Sequence, residues 1–187
     1  MQNTIHLAGI SGSLRKESFN TALLKSCLQF LPEGVTLEIL SIDLPLYNGD
    51  FDLPIVNDRP AQVTAFREAL AKADGLVIAS PEYNYSIPGG LKNAIDWASR
   101  GADSPLLKKP VALMGATPGM WGTVRMQAAF LPVFQSLDMK QVVKQEIMIA
   151  QASSKFNEAG ELIDEPAKNF VKQKLENLKE LILQLRK

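Results

Sequence analysis

Residues 9–18 of this chain read Gly9-Ile10-Ser11-Gly12-Ser13-Leu14-Arg15-Lys16-Glu17-Ser18. An apolar run that is typical of a β-strand precedes them at residues 5–8, and apolar residues at helical spacing follow from Phe19 onward. A strand, a Gly/Ser loop and a helix in this order predict an anion site, because serine hydroxyls and the free N–H groups at a helix start donate to a phosphate. An ordinary βα turn is the alternative interpretation.

The loop differs from two well-known phosphate-binding sequences. It is not G-x-x-x-x-G-K-[ST], so it lacks the lysine and the magnesium-binding hydroxyl of a nucleoside triphosphatase. It is not G-x-G-x-x-G either, so the dinucleotide fingerprint is absent. A loop that is rich in hydroxyls and carries Arg15 is better suited to a terminal monophosphate.

The composition indicates an ordinary globular protein. With 187 residues, 46% of them hydrophobic, the chain has the length of a single domain spanning residues 1–187. Its formal net charge is zero, which argues against a partner recognised by bulk charge, so we expect neither nucleic acid nor an anionic membrane as a ligand. No apolar stretch approaches the length of a membrane span and no signal sequence is evident, so we expect a cytoplasmic protein.

The chain contains a single cysteine and a single histidine. Cys27 lies among leucines and is expected on the buried face of a helix, with a reactive thiol as the alternative. His6 lies within the first predicted strand, where a structural role is the more common one. One histidine and one cysteine do not supply the usual zinc ligand sets, so we expect no metal.

Strand-like and helix-like segments alternate along the whole chain. We predict strands near residues 4–9, 35–41, 75–80, 110–115 and 141–149, and helices near 18–31, 60–73, 88–100, 122–137 and 166–186. Each helix is long enough to be a crossover, which makes the strands parallel and places helices on both faces. The predicted fold is α/β, a flavodoxin-like, doubly wound, five-stranded parallel sheet of order 2-1-3-4-5. The connection at residues 42–59 is long enough to be functional.

Ligands of such sheets bind beyond the carboxyl ends of the strands, where the strand order reverses. Besides the first loop, two loops are expected there, at residues 80–90 and 115–122. These carry Tyr83, Tyr85 and Trp121, for which packing in the core or in an interface is the alternative. A monophosphate socket beside two aromatic loops describes a planar, monophosphorylated cofactor, and FMN fits this description better than NAD.

Two motifs in these loops resemble those of the NADPH-dependent FMN reductase family. Residues 12–20 are similar to its G-S-x-R-x-x-S-x-N loop, and residues 81–97, PEYNYSIPGGLKNAIDW, resemble its second signature almost throughout. The resemblance implies that FMN is held by the following residues: Ser11, Ser13, Leu14, Arg15, Ser18 and Asn20 at the phosphate and ribityl end, Pro81, Glu82, Tyr83, Asn84 and Tyr85 along the isoalloxazine, and Thr117 in the third loop. Residues 117–121 are bulkier than in most relatives.

The resemblance further implies an NAD(P)H-dependent oxidoreductase. Electrons from NADPH or NADH would reach the flavin and then a small-molecule acceptor in a ping-pong mechanism. The implied acceptors are quinones, free flavin, azo or nitro compounds, or chromate. Because the flavin supplies the chemistry, we expect no catalytic acid or base from the protein. A flavodoxin-like electron carrier is the main alternative, and a flavin-stabilised regulatory module is another.

We also expect a homodimer or homotetramer. The segments 88–100 and 119–130 contain residues that look too apolar for a solvated surface, and such patches usually mark interfaces. These residues are Ile95, Trp97, Met120, Trp121 and Met126. Tyr85, Arg125 and Glu146 resemble a polar network between the subunits of close relatives.

Overall fold

A computed structural model describes residues 4–52 and 58–186, and these form a parallel sheet between two layers of helices. The strands are β1 (Ile5–Ser11), β2 (Val35–Leu40), β3 (Gly75–Ala79), β4 (Pro110–Ala116), β5 (Lys140–Gln141) and β6 (Ile147–Ile149). The helices are α1 (Phe19–Cys27), α2 (Ala61–Lys72), α3 (Gly89–Ala98), α4 (Val124–Ser136) and α5 (Glu165–Leu185). Part of the predicted 42–59 connection, residues 53–57, lies outside the described residues.

The strand order is β2-β1-β3-β4-β5, with every pair parallel, and β6 also pairs with β4. This order confirms the predicted doubly wound sheet. The order reverses between β1 and β3, whose registers align Ser11 with Ala79. The loops that follow these two strands therefore begin side by side at the carboxyl edge of the sheet.

Each face of the sheet has its own hydrophobic core. Leu7 and Val77 point to the face that α1 and α5 cover, while Ala8 and Ile78 point to the face covered by α2, α3 and α4. Because successive residues of a strand point to opposite faces, a central strand with both faces covered must be apolar throughout. All of β3 is buried, which explains its uninterrupted apolar sequence.

The prediction of one continuous fifth strand at residues 141–149 was wrong. Two short strands, β5 and β6, occupy that position. The Val142 N–H still donates to Val111 O over 2.9 Å, and residues 143–146 leave the ladder. Side chains of α5 bind the carbonyl groups of this interruption: Lys174 Nζ donates to Val142 O over 2.6 Å, and Asn177 Nδ2 donates to Lys144 O over 3.2 Å. The helix thus satisfies carbonyl groups that have no partner in the ladder.

Helix α1 ends at Cys27, short of the predicted residue 31. The N–H groups of residues 28–30 each donate to the carbonyl three residues earlier, which tightens the chain into a turn. Pro32 follows after Leu31, and a residue that precedes proline disfavours the helical conformation.

The prediction of an exposed apolar patch was partly wrong. Ile95 and Met126 are buried in the core under α3 and α4, and Trp97 is fully buried with its Nε1 donating to Pro45 O over 2.8 Å. Only Met120 and Trp121 are exposed, at 80% and 74%. Helices α3 and α4 turn Ile95, Trp97 and Met126 inward, so the exposed residues of the predicted patch are confined to the loop after β4. Within the described residues, no helix combines the length and the apolar character needed to cross a bilayer.

Candidate functional site

Residues 12–18, here called the phosphate loop, leave β1 and lead into α1. The N–H of Gly12 donates to Ala79 O over 2.8 Å, which ties the loop to the end of β3. A Cβ atom on Gly12 would lie 2.3 Å from Ser80 Oγ, so only glycine permits this approach. The backbone therefore begins its curl directly beside the loop that follows β3.

The phosphate loop keeps several N–H groups without a protein acceptor. Ser18 caps α1, and its Oγ accepts from the N–H groups of Asn20 and Thr21 at 3.2 and 3.4 Å. The N–H groups of Glu17, Ser18 and Phe19 have no partner among the residues that the structure describes. Free donors at a helix N-terminus, where the helix dipole is positive, suit an anion.

The serine side chains of this region are buried and oriented by short contacts. Ser11 Oγ lies 2.8 Å from Thr21 Oγ1, and Ser13 Oγ accepts from the Arg15 N–H over 3.2 Å. Arg15 itself is exposed, and its Nη2 donates to Glu17 O over 2.5 Å. The guanidinium thus bends back over the loop and is not held by any ion pair among the described side chains.

Asn20 plays a positioning role within the chain. Its Oδ1 accepts from the Ala116 N–H and its Nδ2 donates to Ala116 O, both over 2.8 Å. This pair of bonds locks the start of α1 to the end of β4. The side-chain amide already has a partner on both atoms, so its contribution to a ligand is to hold two loops in register.

Residues 80–88, here called the tyrosine loop, form a tight turn at the carboxyl end of β3. Tyr83 and Ser86 exchange backbone hydrogen bonds of 3.1 and 2.9 Å across it. Asn84 and Tyr85 both have positive φ, at 49° and 62°, as the two central residues of a type I′ turn do. Asparagine tolerates this conformation, but tyrosine adopts it at a cost in energy.

The tyrosine rings of this loop face outward. Tyr83 is half-exposed, with its hydroxyl 3.3 Å from Ser13 Oγ, and Tyr85 is 70% exposed. Core packing, the alternative interpretation of these residues and of Trp121, is therefore excluded within this chain. The Tyr83 hydroxyl links the tyrosine loop to the phosphate loop.

Glu82 extends from the tyrosine loop to the N-terminus of α4. Its Oε2 accepts from the N–H groups of Arg125 and Met126 at 2.8 and 3.1 Å, and its Oε1 lies 3.4 Å from Arg125 Nη1. The Glu82 side chain is largely buried. Sequence reasoning placed Glu82 beside the cofactor and missed this contact, for which no sequence signal exists.

Residues 117–123, here called the tryptophan loop, follow β4. The Thr117 N–H donates to Ile149 O over 2.9 Å, and Gly119 O accepts from the Gln151 N–H over 3.0 Å. These bonds hold the base of the loop to the chain after β6, while Met120 and Trp121 extend into solvent. The Arg125 guanidinium lies 4.2 Å from the centre of the Tyr85 ring and 5.7 Å from that of Trp121.

The three loops enclose a cleft of about 140 Å³. The structure brings most of the predicted residues to it: Ser13, Arg15, Ser18, Asn20, Pro81, Glu82, Tyr83 and Thr117. Leu14, Asn84 and Tyr85 lie in the same loops and Ser11 ends β1, but these four residues do not line the cleft. A second cleft of about 500 Å³ adjoins at Arg15, Ser18 and Phe19, between α1 and residues 156–160.

The second signature also contains residues that the sequence analysis did not assign to the site. Asn93 Oδ1 accepts from the Tyr47 N–H over 2.8 Å, and its Nδ2 donates to Pro45 O over 3.0 Å. Trp97 donates to the same carbonyl. Asn93 and Trp97 of α3 thus hold the loop after β2 beside the site. Both lie in the segment that resembles the second signature, and this was the sequence signal that pointed to them.

The remaining titratable candidates lie elsewhere. His6 is exposed, and its Nδ1 lies 2.8 Å from Thr36 Oγ1 on β2. Burial raises the pKa of the Cys27 thiol to about 12, as expected for an unreactive core cysteine. Burial lowers the pKa of Lys174 to about 8, with the Glu146 carboxylate opposing that shift. No group of three or more potential metal ligands occurs in the described part of the chain.

Comparison with known proteins gives a consistent result. The family model described as NADPH-dependent FMN reductase matches residues 5–154. The chain is 41% identical over 187 residues to an NAD(P)H-dependent FMN reductase of Pseudomonas aeruginosa, with 100% of both chains covered. It is 39% identical over 168 residues to a quinone reductase of Escherichia coli, covering 88% of each. The solved structure of the Paracoccus denitrificans flavoenzyme FerB, an NAD(P)H:(acceptor) oxidoreductase, superposes with a TM-score of 0.85 at 29% identity, covering 97% of this chain and 98% of that one.

Proposed function

The chain belongs to the NADPH-dependent FMN reductase family and is an FMN-dependent, NAD(P)H-oxidising oxidoreductase, and from this premise we propose that its acceptor is a quinone. The quinone reductase of Escherichia coli, 39% identical, supports this acceptor class. Free flavin, azo and nitro compounds and chromate form the wider acceptor set. The cytoplasmic location stays a prediction.

The observation that carries the proposal is the convergence of the three loops on one cleft. The free N–H groups of residues 17–19, the buried serines and Arg15 suit a phosphate monoester, which supports placing the FMN phosphate in the phosphate loop. The tyrosine and tryptophan loops offer backbone and aromatic surface for a flat ring. We propose that the twelve predicted residues form the FMN site. Ser13, Arg15, Ser18, Pro81, Tyr83 and Thr117 line the cleft, and Asn20 and Glu82 line it and position its loops. The other four, Ser11, Leu14, Asn84 and Tyr85, lie within two residues of these in the chain.

FMN, when bound, supplies hydride and electron transfer between the nicotinamide and the acceptor. The residues of the chain bind and orient: the phosphate loop anchors one end, and the Tyr83 hydroxyl holds the tyrosine loop to it. Neither His6 nor Cys27 lines the cleft, and we assign no residue as a proton donor or acceptor.

The exposed aromatic surface supports a ping-pong sequence. Tyr85, Met120 and Trp121 are all exposed on the loops that line the cleft, and the Arg125 guanidinium lies near both aromatic rings. A single open face of this kind serves the nicotinamide and the acceptor in turn, because both present a flat ring. Each must leave before the other enters.

Steady-state kinetics test this function. The FMN-loaded protein is assayed with NADPH and 1,4-benzoquinone at several fixed concentrations of each under anaerobic conditions. Parallel double-reciprocal lines are expected. Intersecting lines would refute the ping-pong sequence, and a rate no higher than that of free FMN and NADPH would refute quinone reduction.

We propose further that the chain forms a dimer or tetramer in which Tyr85, Arg125 and Glu146 join subunits. The exposed Met120 and Trp121 beside Arg125 support such an interface, and Glu146 is exposed as well. Light scattering at micromolar concentration tests the proposal, with Arg125→Ala expected to shift the assembly toward smaller species. A wild-type monomer with full activity would contradict it.

A further inference from the structure

The contacts of Glu82 connect the two aromatic loops. We propose that Glu82 is a positioning residue: by capping α4 and pairing with Arg125, it sets the placement of the tyrosine loop relative to the tryptophan loop. The inference rests on the proposed placement of FMN along residues 81–85. It assigns Glu82 a task that differs from touching the cofactor.

Helix α4 depends on Glu82 because it has no cap of its own. Thr123 occupies the N-cap position but makes no capping hydrogen bond, and its Oγ1 instead accepts from Gln127 Nε2 over 3.3 Å. A Cβ on Gly115 would lie 2.3 Å from the same Oγ1, so the Thr123 side chain is enclosed by β4. The N–H groups of Arg125 and Met126 therefore take their acceptor from a residue more than forty positions earlier in the chain.

The second oxygen of Glu82 extends the connection to the aromatic rings. Oε1 lies 3.4 Å from Arg125 Nη1, and the same guanidinium stacks on the rings of Tyr85 and Trp121. One carboxylate thus orients a cation that touches one exposed ring from each loop. A surface ion pair would contribute little, but the Glu82 side chain is only 10% exposed and also accepts two backbone bonds.

The connection from Glu82 through Arg125 ends at Tyr85, where the backbone of the tyrosine loop is strained. Tyr85 has a φ of 62°, which a residue with a Cβ adopts only when its surroundings hold it there. The Tyr83–Ser86 bonds hold the turn from within, and the Arg125 guanidinium, 4.2 Å from the centre of the Tyr85 ring, contacts it from outside the loop. Loss of the Glu82 carboxylate releases Arg125, and we expect Tyr85 and its neighbours to leave the conformation that meets the flavin.

Asp164 provides a matched control. It caps α5, its Oδ1 accepting from the Ala167 N–H over 3.0 Å, and its other oxygen pairs with Lys155. Like Glu82, it is a carboxylate that combines a helix cap with an ion pair. It lines neither of the two clefts beside the phosphate loop.

The experiment compares Glu82→Ala with Asp164→Ala in two assays of the purified protein. Thermal unfolding of the apoprotein reports the loss of a cap, and both variants are expected to melt several degrees lower. FMN titration of the apoprotein, followed by quenching of flavin fluorescence, reports loop placement. Glu82→Ala is expected to raise the FMN dissociation constant about tenfold, and Asp164→Ala to leave it within twofold.

Kinetics at saturating FMN add a readout that a cap alone would not affect. In Glu82→Ala the KM for 1,4-benzoquinone is expected to rise at least threefold while kcat falls less than twofold, because the rings that receive the acceptor lose their common cation. An unchanged FMN dissociation constant in a folded Glu82→Ala protein would overturn the proposal. The FMN titration needs no acceptor, so it stays decisive even where quinone reduction fails.

Glu82→Gln carries the test if the alanine variant does not fold. Its amide oxygen still accepts from the helix N–H groups, but it forms no ion pair with Arg125. We expect an FMN dissociation constant about threefold higher with an unfolding temperature close to that of the wild type. An FMN affinity equal to that of the wild type would refute the connection through Arg125.

Discussion

The phosphate loop and the tryptophan loop lie at the same edge of the sheet but are built in opposite ways. The phosphate loop buries its serine side chains and leaves backbone N–H groups without a protein acceptor. The tryptophan loop satisfies the backbone at its base through Ile149 and Gln151 and exposes its largest side chains. The first therefore has the form of a permanent binding site for an anion. The second has the form of a surface that flat ligands visit and leave.

Arg15→Ala is the strongest test of the first half of this contrast. A charge-assisted contact to a phosphate is worth roughly 1.5–3 kcal/mol, so FMN affinity should fall about tenfold to a hundredfold. Lys16→Ala is the matched control, because it removes a neighbouring cation of the same loop, and less than a threefold change is expected. Both are measured by FMN titration of the apoprotein. Equal losses in the two variants would mean that the loop attracts FMN by general charge and not through a specific contact.

The pH and the substitution of Lys174 both change the free energy of unfolding through a residue that lies outside the two loops. Its folded pKa of about 8 lies below the unfolded value, so between these values the unfolded state holds more protons and stability rises with pH. Below pH 8 the buried, protonated Lys174 lowers the free energy of unfolding by its full amount. Between pH 8 and pH 10 this penalty decreases by about 2 kcal/mol. Urea unfolding of the apoprotein should show a larger rise in stability from pH 8 to pH 10 in the wild type than in Lys174→Met.

FMN affinity should not follow that change in stability. Because Lys174 lines neither of the clefts beside the phosphate loop, the FMN dissociation constant of Lys174→Met should equal that of the wild type at pH 7. A parallel change in stability and FMN affinity would show that the loops depend on the fifth-strand region.

Trp121→Ala tests the second half of the contrast. Stacking on an aromatic ring contributes roughly 0.5–1.5 kcal/mol, so the KM for a quinone should rise about threefold to tenfold. The FMN dissociation constant should stay within twofold of the wild type. Leu183→Ala, which removes an exposed apolar side chain from α5, is the control and should change neither value. A loss of FMN affinity in Trp121→Ala would place the ring against the cofactor instead of the acceptor.

His6→Gln should have the smallest effect. The side chain is exposed and contacts Thr36, away from both loops, so turnover at full FMN occupancy should stay within twofold between pH 6 and 8. The check is a pH profile of turnover beside that of the wild type. A hundredfold loss in a folded, FMN-loaded variant would require a protein acid or base that we have not assigned.

The contrast between the loops also explains what the sequence could predict. Strand order, crossovers and the meeting of three loops followed from local apolar patterns and from the handedness rule, because those features act over short stretches. Arg15 and Ser18 could be proposed from the sequence because a phosphate loop is a local structure, and their roles stay predictions. The contacts of Asn20 with Ala116, and of Glu82 with α4, join positions far apart in the sequence and leave no local pattern.

Two wrong predictions have the same origin. The apolar residues Val142 and Val143 look like strand, but the ladder is interrupted there, and the side chains that bind the carbonyl groups of the interruption come from α5, much later in the chain. Trp97 looked like an interface residue, but its ring is buried and its Nε1 binds a loop that follows β2. In both cases the deciding partner is a polar group on another element, which periodicity does not reveal.

The burial of Cys27 has a consequence for an enzyme that meets quinones. Quinones are electrophiles that alkylate thiols, and the attacking species is the thiolate. The only sulfhydryl of this chain is enclosed between α1 and the sheet and keeps its proton at any physiological pH. With a quinone as acceptor, the protein therefore exposes no thiolate that its own substrate could arylate. Repeated turnover is expected to leave Cys27 unmodified.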